Sequence, residues 1–156
     1  MPPAPPIQMR EARREDVAVI VRLLADDPLG AAREQVSDPP PSSYFAAFDK
    51  IAADSRNLLM VARNDAGAVV GALQITFIPG LSNQGADLAL LEAVRVDASL
   101  RGQGVGAAMV TWAMEEARRR GCRNIELMSH ASRGDAQRFY ARLGFASSHV
   151  GMKRAL

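Results

Sequence analysis

One cysteine, Cys122, stands in the whole chain, so no internal disulfide and no cysteine-rich metal site can form. Set between polar residues and an apolar run, it reads as a small packing residue rather than a nucleophile. No apolar stretch reaches the roughly 18 residues that a membrane helix needs. The opening Met1-Pro2-Pro3-Ala4-Pro5-Pro6 has no apolar core and reads as a disordered N-terminal tail over residues 1–6, not a signal peptide. Excess charge is also missing. The net charge of +2 argues for neither a nucleic-acid nor a membrane partner, and the arginine clusters read as solvated helix faces. What is there is ordinary for a globular domain: 156 residues, 48% hydrophobic and 23% charged. That length favours one domain, over residues 7–156, of soluble and cytoplasmic type.

Periodicity sets out the elements. Ile7 to Ala12 suits a short strand. Val17, Ile20, Val21 and Leu24 recur at helical spacing and predict a helix from about Glu15 to Ala25. Asp27-Pro28 should end it, and Pro28 to Pro41 should be an irregular loop. Tyr44, Phe48, Ile51 and Ala52 mark a second helix capped by Ser42 or Ser43. Leu58 to Arg63 and Ala68 to Ile78 form a hairpin about Asp65-Ala66-Gly67. After a loop from Pro79 to Asp87 come a strand, Leu88 to Val96, and a long helix, Gly104 to Arg120. Glu115–Arg119 and Glu116–Arg120 are spaced as ion pairs on that helix, and Gly121 closes it. Asn124 to Met128 is a strand. Ser132 and Asp135 fit a capping box for a helix carrying Ala136, Phe139, Tyr140 and Leu143 on one face. Ser147 to Arg154 should be a last strand. Early hairpins and a late β-α-β unit predict an α+β fold with a mixed central sheet flanked by helices.

The stretch Val94-Arg95-Val96-Asp97-Ala98-Ser99-Leu100-Arg101-Gly102-Gln103-Gly104-Val105-Gly106 carries the chemistry. A strand runs into a glycine-rich loop that opens a helix, which presents backbone N–H groups and a positive helix end to an anion. Glycines admit phosphate oxygens without a Cβ in the way, and Arg101 adds a fork of donors. A dinucleotide site would use Gly102, Gly104 and Ala107. The chain after the loop is too short for the rest of a doubly wound sheet, and no acidic residue is placed for a ribose. A P-loop needs Lys-Ser or Lys-Thr after its last glycine; Ala107-Ala108 follows here.

Arg101, Gly104 and Gly106 resemble the acyl-CoA loop of the GNAT N-acetyltransferase superfamily, in which Arg or Gln, two residues, Gly, one residue, then Gly or Ala recur. A second block, Ala136-Gln137-Arg138-Phe139-Tyr140-Ala141-Arg142-Leu143-Gly144-Phe145, resembles the family's other helix. The resemblance implies a GNAT-like fold and direct transfer of acetyl from acetyl-CoA to a primary amine, with no metal. It implies that Arg101, Gly102, Gln103, Gly104, Val105 and Gly106 hold the pyrophosphate. Pantetheine would lie along Val94, Arg95 and Val96, whose N–H groups would serve the thioester oxygen. Arg133 stands where the family often has Asn, and its guanidinium suits the phosphate region of CoA. Tyr140 matches the tyrosine whose hydroxyl lies near the CoA sulfur, the expected acid for the departing thiolate.

The amine must lose a proton before it can attack. On simple alternation Glu92 shares a strand face with Leu88, Leu90, Val94 and Val96, where partial desolvation would favour a base; the resemblance implies that a bulge in this strand would change the facing after it. The bland alternative is an ion pair with Arg95 or Arg123. His130 is a second base candidate, while His149 reads as structural. The acceptor should be a small-molecule amine, a metabolite or amino acid, ahead of a protein N-terminus or lysine. Pro28–Ser43 and Pro79–Asp87 are expected to wall its pocket. Homodimers recur in the family, and no residue pattern fixes one here. A catalytically silent acyl-CoA sensor is the competing class.

Overall fold

The structure, a computed structural model, describes residues 4–156; residues 1–3 of the expected tail lie outside the described residues. The chain forms two compact units, residues 1–126 and 127–156. Five strands make one sheet in chain order: β1 (Gln8–Glu11), β2 (Asn57–Arg63), β3 (Val69–Ile78), β4 (Leu88–Val96) and β5 (Asn124–Leu127). The first four pair antiparallel. A helical crossover joins β4 to its neighbour β5, the connection that parallel strands need, so the sheet is mixed.

The helices are α1 (Val17–Ala25), α2 (Pro28–Ala31), α3 (Ser42–Ala52), α5 (Val105–Arg119) and α6 (Gly134–Arg142), with α4 (Ser82–Gly85) a tight turn. Neighbouring residues of β3 point to opposite faces. Ala72 packs in a cluster with Ile20 and Leu23 of α1. A Cβ added to Gly71 would meet Met109 Sδ of α5 at 2.6 Å. So α1 and α5 cover opposite faces of β3. Between them Val61, Leu73, Ile75, Val105, Met109 and Val110 are fully buried.

Two local devices fix the frame. Arg10 of β1 donates through Nη1 and Nη2 to both oxygens of Asp16, at 2.7 and 3.0 Å, and the Arg13 N–H donates at 2.7 Å. Asp16 is 5% exposed. Burial alone would push its carboxyl up, but the bonds from Arg10 and Arg13 outweigh this and hold it below the ordinary aspartate range. At the end of α5, Gly121 lies at φ +79°. Its N–H donates to Arg118 O, and Cys122 N–H donates to Ala117 O, the two bonds that close a helix on a left-handed residue.

Several expectations need correction. Pro28 opens a helix instead of only ending one: Asp27 caps α2 by accepting from Gly30 N–H at 2.6 Å, and proline needs no amide bond at that first position. Pro41, not a serine, is the N-cap of α3. The Glu116–Arg120 pair forms as expected, at 2.8 Å, but Arg119 also pairs with Glu116, at 2.6 Å, where the spacing predicts Glu115. In the second unit the N-cap of α6 is Arg133, whose side chain does not cap the helix. Ser132 instead places its hydroxyl 2.7 Å from His130 Nδ1. No strand forms at Ser147–Arg154, and no regular element follows α6. Val150 and Met152 are 83% and 91% exposed there. Alternation of apolar residues makes a strand only where an edge accepts it.

Candidate active site

The site grows from an irregularity in β4. Ala72 pairs with Arg95 and Gln74 with Glu92, so Leu73 alone faces two residues, Ala93 and Val94. This is a β-bulge, and Ala93 sits in it at φ +53°. An alanine at positive φ costs of order 1–3 kcal/mol, a strain that persists only where the surroundings impose it. The bulge interrupts the ladder and turns the strand. Before it, Ala89 and Leu91 are buried; after it, Val94, Arg95 and Val96 are all half-buried. Glu92 lies at the bulge and is exposed, not desolvated as alternation suggests. The Arg95 guanidinium donates to Val94 O at 2.9 Å and lies 3.8 Å from the Asp27 carboxylate.

Beyond β4 the chain tightens. Asp97 N–H donates to Val70 O at 2.9 Å, the last tie to β3. The Asp97 carboxylate accepts from Ser99 N–H at 2.9 Å and heads a 3-10 turn, Ala98–Leu100. Hydrogen bonds from the Ser99 hydroxyl and amide hold that carboxyl below its ordinary range. Arg101 then folds back: Nε donates to Val96 O at 3.1 Å, and Nη2 reaches Asp26 O at 3.0 Å and Asp26 Oδ2 at 2.7 Å. Its side chain braces the loop against the end of α1. Gln103 Nε2 donates to Ser99 O at 2.8 Å.

Gly102 and Gly104 lie at φ +75° and +88°. Gly104 is the N-cap of α5 and offers no side chain to it. The first helical bond runs from Ala108 N–H to Gly104 O at 3.0 Å. The amides of Val105, Gly106 and Ala107 therefore point out of the helix end, a geometry suited to an anion. A Cβ added to Gly104 would meet Ala4 Cβ at 2.8 Å, so the N-terminal segment passes directly over the loop.

Next to the bulge lies a cavity of about 140 Å³. Its walls are α1 and α3 over β2, β3 and Ala93. The Pro79–Asp87 loop borders a separate hollow of about 170 Å³. Tyr44 lines the first cavity, and its hydroxyl donates to Glu34 at 2.9 Å. Glu34 also accepts from Arg33 Nε at 2.8 Å; these two bonds, Arg33 first, hold its carboxyl low despite partial burial. Sequence reasoning missed Ala93, Gln74, Tyr44 and Glu34. None belongs to a motif, and alanine carries no signal for a left-handed conformation.

The remaining candidates belong to the second unit. Tyr140 is half-buried, edge-on to Phe139 and Phe145 at ring-centre distances of 5.0 and 5.7 Å. Arg133 is half-buried at the start of α6, and its N–H donates to His130 O at 2.9 Å. His130 and His149 are exposed.

Comparison with known proteins places the chain in one family. The Acetyltransferase (GNAT) family model matches residues 19–145, across both units. The chain belongs to this family of acyltransferases. It is 30% identical over 125 residues to an acetyltransferase of Agrobacterium fabrum, covering 79% of this chain and 82% of that one. It is 44% identical over 57 residues to an aminoalkylphosphonate N-acetyltransferase of Salmonella typhimurium. That match covers 36% of this chain and 37% of the relative, so the chain spans little more than a third of it. A crystal structure of a protein described as a transcriptional regulator from Bacillus halodurans superposes with a TM-score of 0.93 at 45% identity. It covers 97% of this chain and 100% of that one. Among the described residues no helix is long and apolar enough to cross a membrane.

Proposed function

We propose that residues 7–156 act as one cytoplasmic acetyl-CoA-dependent N-acetyltransferase domain whose acceptor is the primary amine of a small metabolite or amino acid. The observation that carries this reading is the continuous path from the bulged β4 through the glycine loop to the open amides of α5. The residues suit the co-substrate: left-handed glycines leave room for phosphate oxygens, and the helix end supplies donors. Acetyl-CoA brings an activated acyl group. The loop from Arg101 to Gly106 holds the pyrophosphate by its amides, with Arg101 as brace. The Val94–Val96 backbone lines the acyl arm and donates to the thioester oxygen, and Arg133 serves the phosphate region. Glu92 takes the amine proton, directly or through water, as its exposure permits; His130 is the alternative. Tyr140 supplies a proton to the departing sulfur.

The test begins with acetyl-CoA and a broad panel of amines, followed by release of free thiol. Protein N-termini and lysines belong in that panel. Tyr140→Phe then separates acid from packing residue. As an acid, Tyr140 should leave a turnover at least about tenfold lower, with acetyl-CoA binding nearly unchanged. As a packing residue it should cost about 1 kcal/mol of stability and no rate.

Binding at the loop has its own check. Acetyl-CoA should protect the protein against heat, and Gly104→Val should remove that protection. Valine at φ +88° is strained, and its Cβ would stand over the loop, 2.8 Å from the present position of Ala4 Cβ. A folded Gly104→Val protein with undiminished CoA affinity would sink the loop assignment. The Bacillus halodurans neighbour's description favours a second reading, a regulatory acyl-CoA sensor. Acetyl-CoA binding with no thiol release from any amine would establish it.

A further inference from the structure

We infer that the cavity between α1, α3 and the β4 bulge binds the body of the acceptor, and that this body is uncharged and apolar, an aryl or alkyl group of about six carbons. The inference rests on the transferase reading and narrows it to a substrate class. Position comes first. The cavity reaches Gln74 and Ala93. Gln74 pairs across the ladder with Glu92, and Ala93 follows Glu92 in the bulge. A molecule seated in the cavity therefore has its near end beside the proposed base, where its amine belongs.

The lining decides the chemistry. Ile20, Leu24, Phe48, Ile51 and Leu59 are typical of the walls, and among the described residues only Tyr44 and Gln74 bring side-chain polar atoms. No charged side chain of the described residues lines the cavity. Arg33 pairs with Glu34 at 2.8 Å, and Arg95 lies 3.8 Å from Asp27. The Tyr44 hydroxyl donates to Glu34 and accepts from Gln35 N–H. A phosphate or phosphonate buried here would lose its water and gain no counter-charge, which costs several kcal/mol. An apolar body gains instead from every methylene that it buries. The volume of about 140 Å³ sets the size. Apolar cavities of about 150 Å³ accept a benzene ring. The Salmonella relative is named for aminoalkylphosphonates. This cavity predicts the opposite preference.

The experiment compares phenethylamine and hexylamine with 2-aminoethylphosphonate as acceptors, following thiol release from acetyl-CoA. The apolar amines should show kcat/KM at least about 100-fold higher, the scale of burying several methylenes. Ala47 lines the cavity but is exposed on α3, so Ala47→Trp blocks the mouth without disturbing the core. It should raise KM for phenethylamine at least about tenfold and leave heat protection by acetyl-CoA unchanged. Equal or better use of 2-aminoethylphosphonate overturns the inference and leaves the transferase reading intact. So does an Ala47→Trp protein with an unchanged KM for phenethylamine. Thiol release from no amine at all overturns the transferase reading itself, and the acceptor assignment with it.

Discussion

Glu92→Gln should slow acetyl transfer at neutral pH by about 10² to 10⁴, the usual cost of removing one general base. The substitution keeps the shape of the side chain and deletes its charge. The exposure of Glu92 matters to how this would look. A carboxylate in contact with water can pass the amine proton on through a water molecule, so the loss should fall toward the lower end of that range. Activity should recover partly at high pH, where more of the amine is already neutral. The check is kcat/KM against pH for both proteins on one good acceptor. Normal turnover of Glu92→Gln at neutral pH would move the role to His130 or to water alone.

Asp16→Ala should cost about 1.5–3 kcal/mol of folding stability, because it leaves the part-buried Arg10 guanidinium without its carboxylate. The bidentate bond from Arg10 and the Arg13 amide both end on this one group. The pH dependence follows from the direction of the shift. The folded carboxyl ionises below its unfolded value of about 3.9, so the pair contributes fully above that pH. The contribution fades as the pH falls through the lower folded value. Urea unfolding at pH 7 and at about pH 3 should show the gap between parent and variant narrowing in acid. A gap that stayed constant would mean that the aspartate acts by packing and not by charge.

The sequence spoke clearly where backbone chemistry is written in residue type. Gly102, Gly104 and Gly121 announce left-handed turns, so the limits of α5 and its loop were legible to within a residue. Strand β4 was legible because its apolar run is bounded by Asp87 and Asp97. Context decided the rest. The bulge at Ala93 comes from how β4 meets β3, and nothing in an alanine announces it. Ser132 is a good cap by type, yet His130 competes for its hydroxyl. Val150 and Met152 alternate like a strand and meet no edge in their own unit. The cavity beside the bulge was not legible either, because it lies where α1 and α3 meet the sheet and no single segment announces such a meeting.

The N-terminal segment over Gly104 turns ligand entry into an exchange. Ala4 lies over Gly104, so, on the proposed loop assignment, a phosphate group arriving from that side would have to displace it. Two contacts would then compete for one surface, and molecules with the segment lifted would accept the ligand more readily. The affinity that a titration reports is the affinity of the bare loop scaled by the fraction of chains in that lifted state. Every residue that steadies the segment therefore weakens ligand binding from a distance, without touching a single atom of the loop.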